Sequence, residues 1–203
     1  MKKWLVTAGI IMILGGGFLS YYHKIIPFIS SRAANSLLIT GNEEEVKSVL
    51  NSTESSLSSY ALYKEKFDRE TRVLSKTDAE KLVNMHALQA VKDKSITEPI
   101  SSLPEITPEQ GIVYQNDKQP VQKVEIGGKT LNVKAEGDVV IGAGPIQKKQ
   151  SMLIIVDDSV YENLDIKELT SVILKFTPKS VSKGDLQAWR NNAKEEAYML
   201  RLD

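Results

Sequence analysis

The chain has 203 residues, 26 Lys plus Arg against 26 Asp plus Glu, a formal net charge of zero and no cysteine. With charges well mixed and no basic stripe interleaved with aromatics, nucleic acid is not an expected partner. The lack of cysteine excludes disulfides, thiol catalysis, cysteine metal sites and thioether lipidation. Any exported domain must therefore rely on its apolar core, which is feasible because roughly 170 residues bury about 70% of the surface their unfolded chain exposes.

Met1-Lys2-Lys3 precedes an uncharged, mostly apolar run from Trp4 to Tyr22 and then His23-Lys24. As a helix this run spans roughly 27 Å, close to the hydrocarbon thickness of a bilayer. Trp4 at one end and Tyr21 and Tyr22 at the other suit an interfacial aromatic belt, and Lys2, Lys3 and Lys24 can snorkel to headgroups. The sequence therefore predicts one N-terminal transmembrane helix. A secretory signal is the alternative, favoured by Gly15-Gly16-Gly17, but a signal h-region is usually only about 7–15 residues long. The only tolerable cleavage site is Ser31-Arg32-Ala33, beyond Lys24 and Pro27. Either reading exports the rest of the chain, provided the N-terminal lysines stay inside.

The expected organisation is a cytoplasmic N-terminus at 1–3, an anchor at 4–22 and a juxtamembrane stub at 23–34. An N-terminal α+β half comes next at 35–94, then a Pro-containing linker at 95–110 and a C-terminal α+β half at 111–203. Leu37 to Thr40 reads as a strand ended by Gly41. Asn42 is placed to cap a helix whose first turn, Glu43-Glu44-Glu45, suits the positive end of the dipole. Val46, Val49 and Leu50 form its apolar stripe. The Ser-rich stretch Asn51 to Ser59 reads as a loop. Tyr60 to Tyr63 and Thr71 to Leu74 are expected strands. Thr77 and Glu80 form a capping box for a helix predicted to run to about Val91 through Leu82, Met85 and Leu88. Pro99, Pro104 and Pro108 mark the linker.

Beyond the linker, Gly111 to Tyr114 reads as a strand. Val121 to Ile126 and Thr130 to Ala135 flank Gly127-Gly128, the clearest hairpin in the chain. Asp138 to Ile141, Met152 to Val156 and Thr170 to Phe176 are further strands, with a short helix from Ser159 to Leu164. Gly184 to Leu202 reads as an amphipathic helix with Leu186, Trp189, Ala193, Ala197 and Leu200 on one face. Hairpins without strict βαβ alternation indicate an α+β fold with mixed or antiparallel sheets and a few packed helices.

Few motifs carry chemistry. Val139-Val140-Ile141-Gly142-Ala143-Gly144-Pro145 looks like the start of a dinucleotide fingerprint, but Gln147 stands at the third glycine position. Met152 already begins the next strand, so no helix can follow, and no first βαβ unit surrounds the string. A Gly-Pro turn is the expected reading. Asp157 and Asp158, with Asp165 nearby, end an apolar strand. Such carboxylates can bind a divalent cation or act as acid and base, but capping of the following helix by one, with the other facing solvent, is favoured. His86 and His23 lack partners at metal-ligand spacing, and Trp189 suits a core position better than a ligand platform. The sequence therefore assigns no catalytic, metal-ligating or cofactor-binding residue.

The segment Met152 to Leu164, the strand Val172 to Phe176 and the Leu186–Trp189 region together resemble the extracytoplasmic domains of FtsX/MacB-like permeases, notably the bacitracin-type exporters of Bacillota. The whole chain also resembles small lipoproteins of unknown function from Bacillus-type bacteria, whose strand-then-helix opening is similar to Leu37 to Val46. This chain departs from a permease in having one membrane segment, and from a lipoprotein in lacking the lipidated cysteine. The resemblance transfers no catalytic residue. It implies a non-enzymatic, membrane-anchored, extracytoplasmic binding or accessory domain, with a membrane protein such as an ABC permease, or a peptide antibiotic, as partner. An exported hydrolase using Asp157 or Asp158 and a structural envelope protein are the alternatives. The oligomeric state is left open.

Overall fold

The computed structural model describes residues 34–93, 96–115, 120–142, 152–177 and 196–202. The first strand, β1 (Ser36–Gly41), is buried along its whole length. It is followed by α1 (Glu43–Thr53), where the Asn42 side chain accepts the Glu45 amide hydrogen at 2.9 Å as expected of an N-cap. Val46, Leu50 and Thr53 turn inward. The Ser-rich stretch is not a loop. A single 3-10 turn at Glu54–Ser56 leads directly into β2 (Leu57–Asp68), a strand that pairs with β11 (Lys167–Phe176) along its length. Tertiary pairing overrides the weak strand propensity of the serines there.

A two-residue turn, with Arg69 at φ 58°, connects β2 to β3 (Thr71–Ser75). The helix α2 (Lys76–Asn84) then starts two residues earlier than the predicted capping box, because Ser75 is the N-cap and accepts from the Asp78 amide at 3.1 Å. It also stops seven residues short of Val91. His86 adopts φ 55°, its amide bonds the Val83 carbonyl at 2.8 Å, and the Ala87 amide bonds the Leu82 carbonyl at 2.8 Å. This is a Schellman closure built on histidine in place of the usual glycine. Leu88 therefore opens β4 (Leu88–Asp93) instead of continuing the helix, which also moves His86 from mid-helix to a cap.

Part of the expected linker is strand as well. β5 (Ile96–Pro99) pairs with β4, and β4 pairs in turn with β9 (Val139–Ile141), giving a three-stranded sheet ordered β5-β4-β9. The larger sheet has nine strands in the order β12-β1-β11-β2-β3-β10-β6-β8-β7. Its other members are β6 (Gly111–Gln115), β7 (Lys123–Ile126), β8 (Lys129–Ala135), β10 (Met152–Val156) and β12 (Glu196–Leu200). Two of its pairings are parallel, β3 with β10 and β6 with β8. Strands from 35–94 and from 111–203 thus alternate within one sheet, and the contacts group Ala34–Asp203 as a single unit. The expected Gly127-Gly128 hairpin is present, with φ 55° and 73° at the two glycines, as a primed turn requires.

The sheet is the middle layer. On one face Leu38, Leu74, Ile112, Leu153, Ile155 and Ile173 meet α2 and the small sheet through Leu82, Leu88 and Ile141. On the other, Leu37, Ile39 and Val172 pack with Val46 and Leu50 of α1, while Val73, Val113 and Ile154 cluster with Tyr161 and Leu164 near α3 (Asp158–Glu162). Neighbouring residues of β1 and β10 therefore feed opposite clusters, which explains their unbroken apolar runs.

The C-terminal helix prediction is corrected where it can be followed. Residues 196–200 form β12, which pairs antiparallel with β1. Ala197 and Leu200 are three apart, a same-face spacing in a helix but an opposite-face spacing in a strand. Leu200 accordingly joins the α2 side of the sheet and Ala197 the α1 side. Leu186, Trp189 and Ala193 lie outside the described residues, as does the predicted anchor from Trp4 to Tyr22. Among the described residues no helix is long and apolar enough to cross a membrane. The described fold is the α+β arrangement of mixed sheets and few helices that the sequence indicates.

Candidate functional site

The two carboxylates singled out in the sequence end β10, and both are engaged in capping. Asp157 Oδ1 accepts from the Ser159 amide at 3.0 Å and from the Ser159 hydroxyl at 2.6 Å, capping α3 as expected. Asp158 does not simply face solvent. Its Oδ1 accepts from the Thr77 amide at 3.0 Å and its Oδ2 from the Thr77 hydroxyl at 2.6 Å. Thr77 lies in the first turn of α2, whose Asp78 amide is already satisfied by Ser75. Asp158 therefore caps a neighbouring helix across the fold, supplying an acceptor to a second of its orphan amides. Burial pushes the Asp158 carboxyl upward, but the Thr77 hydroxyl and amide, the Ser75 hydroxyl and the Lys76 charge outweigh it. The net pKa lies below the ordinary carboxylate value.

Among the described residues, the remaining motif residues are brought to no common site. His86 closes α2, and Gly142 follows β9 at φ 73° with Leu200 packed where a Cβ would stand. Ala143, Gly144 and Gln147 lie outside the described residues. Among the described residues no group of three or more His, Cys, Asp or Glu could hold a metal ion.

Two polar constellations were not visible in the sequence. The first is internal. Glu65 of β2 is fully buried, with Arg72 Nε of β3 2.7 Å from its Oε2. The Thr40 and Ser171 hydroxyls, from β1 and β11, both donate to Oε1, and the Thr40 and Ser171 hydroxyl oxygens lie 2.7 Å apart. Four strands thus contribute to one buried charge cluster. Next to it, Lys66 donates to the Tyr161 and Leu164 carbonyls at 2.8 and 2.7 Å, with its ammonium 4.7 Å from the Tyr161 ring centroid. A cation there suits the negative end of α3. Burial, followed by the charge of Glu168, holds the Tyr161 phenol well above its ordinary pKa, as burial does for Tyr63. These groups position β2 and α3 and are enclosed by the sheet, so they read as structural.

The second constellation is open to solvent. A cleft of about 540 Å³ is lined by Asp68, Arg69, Glu70 and Thr71 of the β2–β3 turn and by Glu125, Ile126 and Gly128 of the β7–β8 hairpin. The Gly127 amide donates to Asp68 Oδ2 at 3.1 Å, joining the two turns at one end of the opening. Ile166 packs where a Gly127 Cβ would lie, 2.7 Å away, so the second turn is fixed from a further side. The lining carries three carboxylates and one guanidinium. Arg69 holds a left-handed backbone conformation at this rim, a strained state for a long side chain. A smaller recess of about 240 Å³ lies between Thr107–Glu109, Thr130–Asn132 and Val160. No sequence signal joins residues 68–71 to 125–128: β10 and β6 stand between β3 and β8 in the sheet, and the two turns meet only through the folded backbone.

Cleft, capped strand end and mixed sheet define a small α+β domain with an acidic surface opening. The chain belongs to an uncharacterised lipoprotein family, whose pattern matches residues 34–199. A solved structure of a candidate lipoprotein from Bacillus anthracis is similar at 28% identity and a TM-score of 0.70, covering 84% of this chain and 100% of that one. The periplasmic region of MacB from Actinobacillus actinomycetemcomitans is more distant, at 8% identity and a TM-score of 0.34, with 84% and 91% covered. No curated protein matches the chain.

Proposed function

We propose that the protein is a non-enzymatic, membrane-anchored accessory domain that works outside the cytoplasm by binding a partner in the cell envelope. The observation that carries this reading is the commitment of Asp157 Oδ1 and both oxygens of Asp158 to helix capping, which gives the strongest catalytic candidates of the sequence a structural role. Membership of a lipoprotein family and the Trp4–Tyr22 apolar run support the location. With no cysteine to carry a lipid, the run itself serves as the anchor in a single-pass arrangement. The acidic cleft between the β2–β3 and β7–β8 turns is the surface offered to the partner, with an ABC permease or a peptide as its nearest candidates. Anchoring confines the domain to a thin layer and raises its effective concentration toward a membrane-resident partner.

The test combines topology with capture. Protein from the native host should stay in membranes through alkaline carbonate washing, and the domain should be digested when protease is added to intact cells. A photo-crosslinker placed at Glu70, exposed in the cleft and away from β7, should trap a discrete envelope protein or peptide. Recovery of a soluble form starting at Ala34 would replace the anchor with a cleaved signal. A hydrolytic activity lost in Asp158→Asn, with folding unchanged, would replace binding with catalysis.

A further inference from the structure

The free edge of β7 extends beyond that reading. Val133 donates its amide hydrogen to the Gln122 carbonyl at 2.9 Å, in the same register that pairs Lys123 with Asn132 and Val124 with Leu131. Hydrogen-bonded and non-hydrogen-bonded pairs alternate along an antiparallel ladder. The backbone groups of Gln122, Val124 and Ile126 therefore face β8, and those of Lys123 and Glu125 face away from it. β7 ends the nine-stranded sheet, and among the described residues no strand pairs with its outer side. Val124 and Ile126 point into the core, while Lys123 and Glu125 are exposed on the other face.

We propose that β7 pairs with β7 of a second copy of this chain, antiparallel about a two-fold axis through Val124. The pattern is self-complementary. With Val124 opposite its own symmetry mate, Lys123 of each copy falls directly opposite Glu125 of the other. Both residues carry the outward backbone groups, so each pair exchanges ladder hydrogen bonds and sets opposite charges across the strands on one face. A parallel arrangement would lose this correspondence, and a shift of two residues would remove both charge pairs and set Lys123 opposite Lys123 or Glu125 opposite Glu125. The edge is short, so the contact is weak in dilute solution and gains from any confinement of the chains to one surface. Glu125 and Ile126 also line the cleft offered to the partner, so the two contacts compete for this edge.

The chain has no cysteine, which makes a single introduced thiol a clean reporter. Non-hydrogen-bonded antiparallel partners have Cα atoms about 4.5 Å apart, within disulfide range. The full chain carrying Val124→Cys should therefore form a disulfide-linked dimer in whole cells treated with a mild oxidant, whichever fraction the protein occupies. Adding Lys123→Glu or Glu125→Lys sets like charges opposite each other and should cut the crosslinked fraction about tenfold. Combining both reversals restores opposite charges and should restore the dimer. Thermal melts of the three charge variants, all at exposed positions, should match that of Val124→Cys alone. No dimer in Val124→Cys, a dimer indifferent to the single reversals, or no recovery in the double reversal would each overturn the proposal. So would crosslinking to a different protein at this position.

Discussion

Replacing Asp158 with Ala removes an acceptor that α2 obtains from more than eighty residues away in sequence, through bonds of 3.0 and 2.6 Å to Thr77. Loss of a helix cap costs about 0.5–2 kcal/mol. The site is partly open to water, which replaces some of the lost interaction, so about 1–1.5 kcal/mol is expected. In a domain of this size that corresponds to a fall in melting temperature of about 2–6 °C at neutral pH, measured by circular dichroism. The pH dependence arises from the depressed carboxyl pKa in the folded state. A group ionising more easily when folded adds stability that is complete above its unfolded pKa of about 3.9 and disappears as pH falls through the folded value. The gap between parent and variant should therefore be constant from neutral pH to about pH 5 and close in more acidic buffer. A Thr77→Ala cycle separates the hydroxyl bond from the amide bond, since only the hydroxyl is deleted. A variant that melts with the parent at neutral pH would refute the capping role. Retained stability together with loss of a hydrolytic activity would return Asp158 to the catalytic candidates.

Arg72→Ala should destabilise by about 3–5 kcal/mol in denaturant titrations, because fully buried Glu65 loses its charge partner. Replacing both by apolar residues should recover much of that loss, whereas additive losses would mean the pair is not coupled. Gly142→Ala should cost more than the usual strain of about 1–2 kcal/mol for a left-handed residue, since its Cβ would stand 2.8 Å from Leu200 Cδ1. Its purified parent should show no flavin spectrum or nicotinamide-dependent stabilisation, either of which would reinstate the dinucleotide reading. Deleting 196–203 should unfold the domain or leave it aggregating, because it uncovers the edge of β1 and removes Leu200 and Leu202 from the core. A truncated protein that melted cooperatively near the parent temperature would show β12 to be peripheral.

Local signals in the sequence were sufficient where neighbours along the chain decide the outcome. Asn42 before three glutamates marks a helix start, and Gly127-Gly128 between alternating residues fixes a hairpin, because capping bonds and primed turns are complete within a few residues. The apolar runs at Leu37–Thr40 and Met152–Val156 announced strands buried on both faces. The α+β class followed from the mixture of these elements.

Only the tertiary structure decided elements whose partners are remote. Leu88 to Val91 continues a helical period, yet it is a strand because the backbone turns at His86 and β9 supplies a ladder. Ala197 and Leu200 share a face at helical spacing, yet they separate onto two faces of a strand because the edge of β1 requires hydrogen bonds that only an extended segment provides. Serines 58 and 59 belong to β2 because β11 runs beside them. The same reason hid the Glu65–Arg72 cluster and the reach of Asp158 to Thr77. Each joins side chains through strand order, and strand order is set by burial summed over the whole sheet, which no short window of sequence contains.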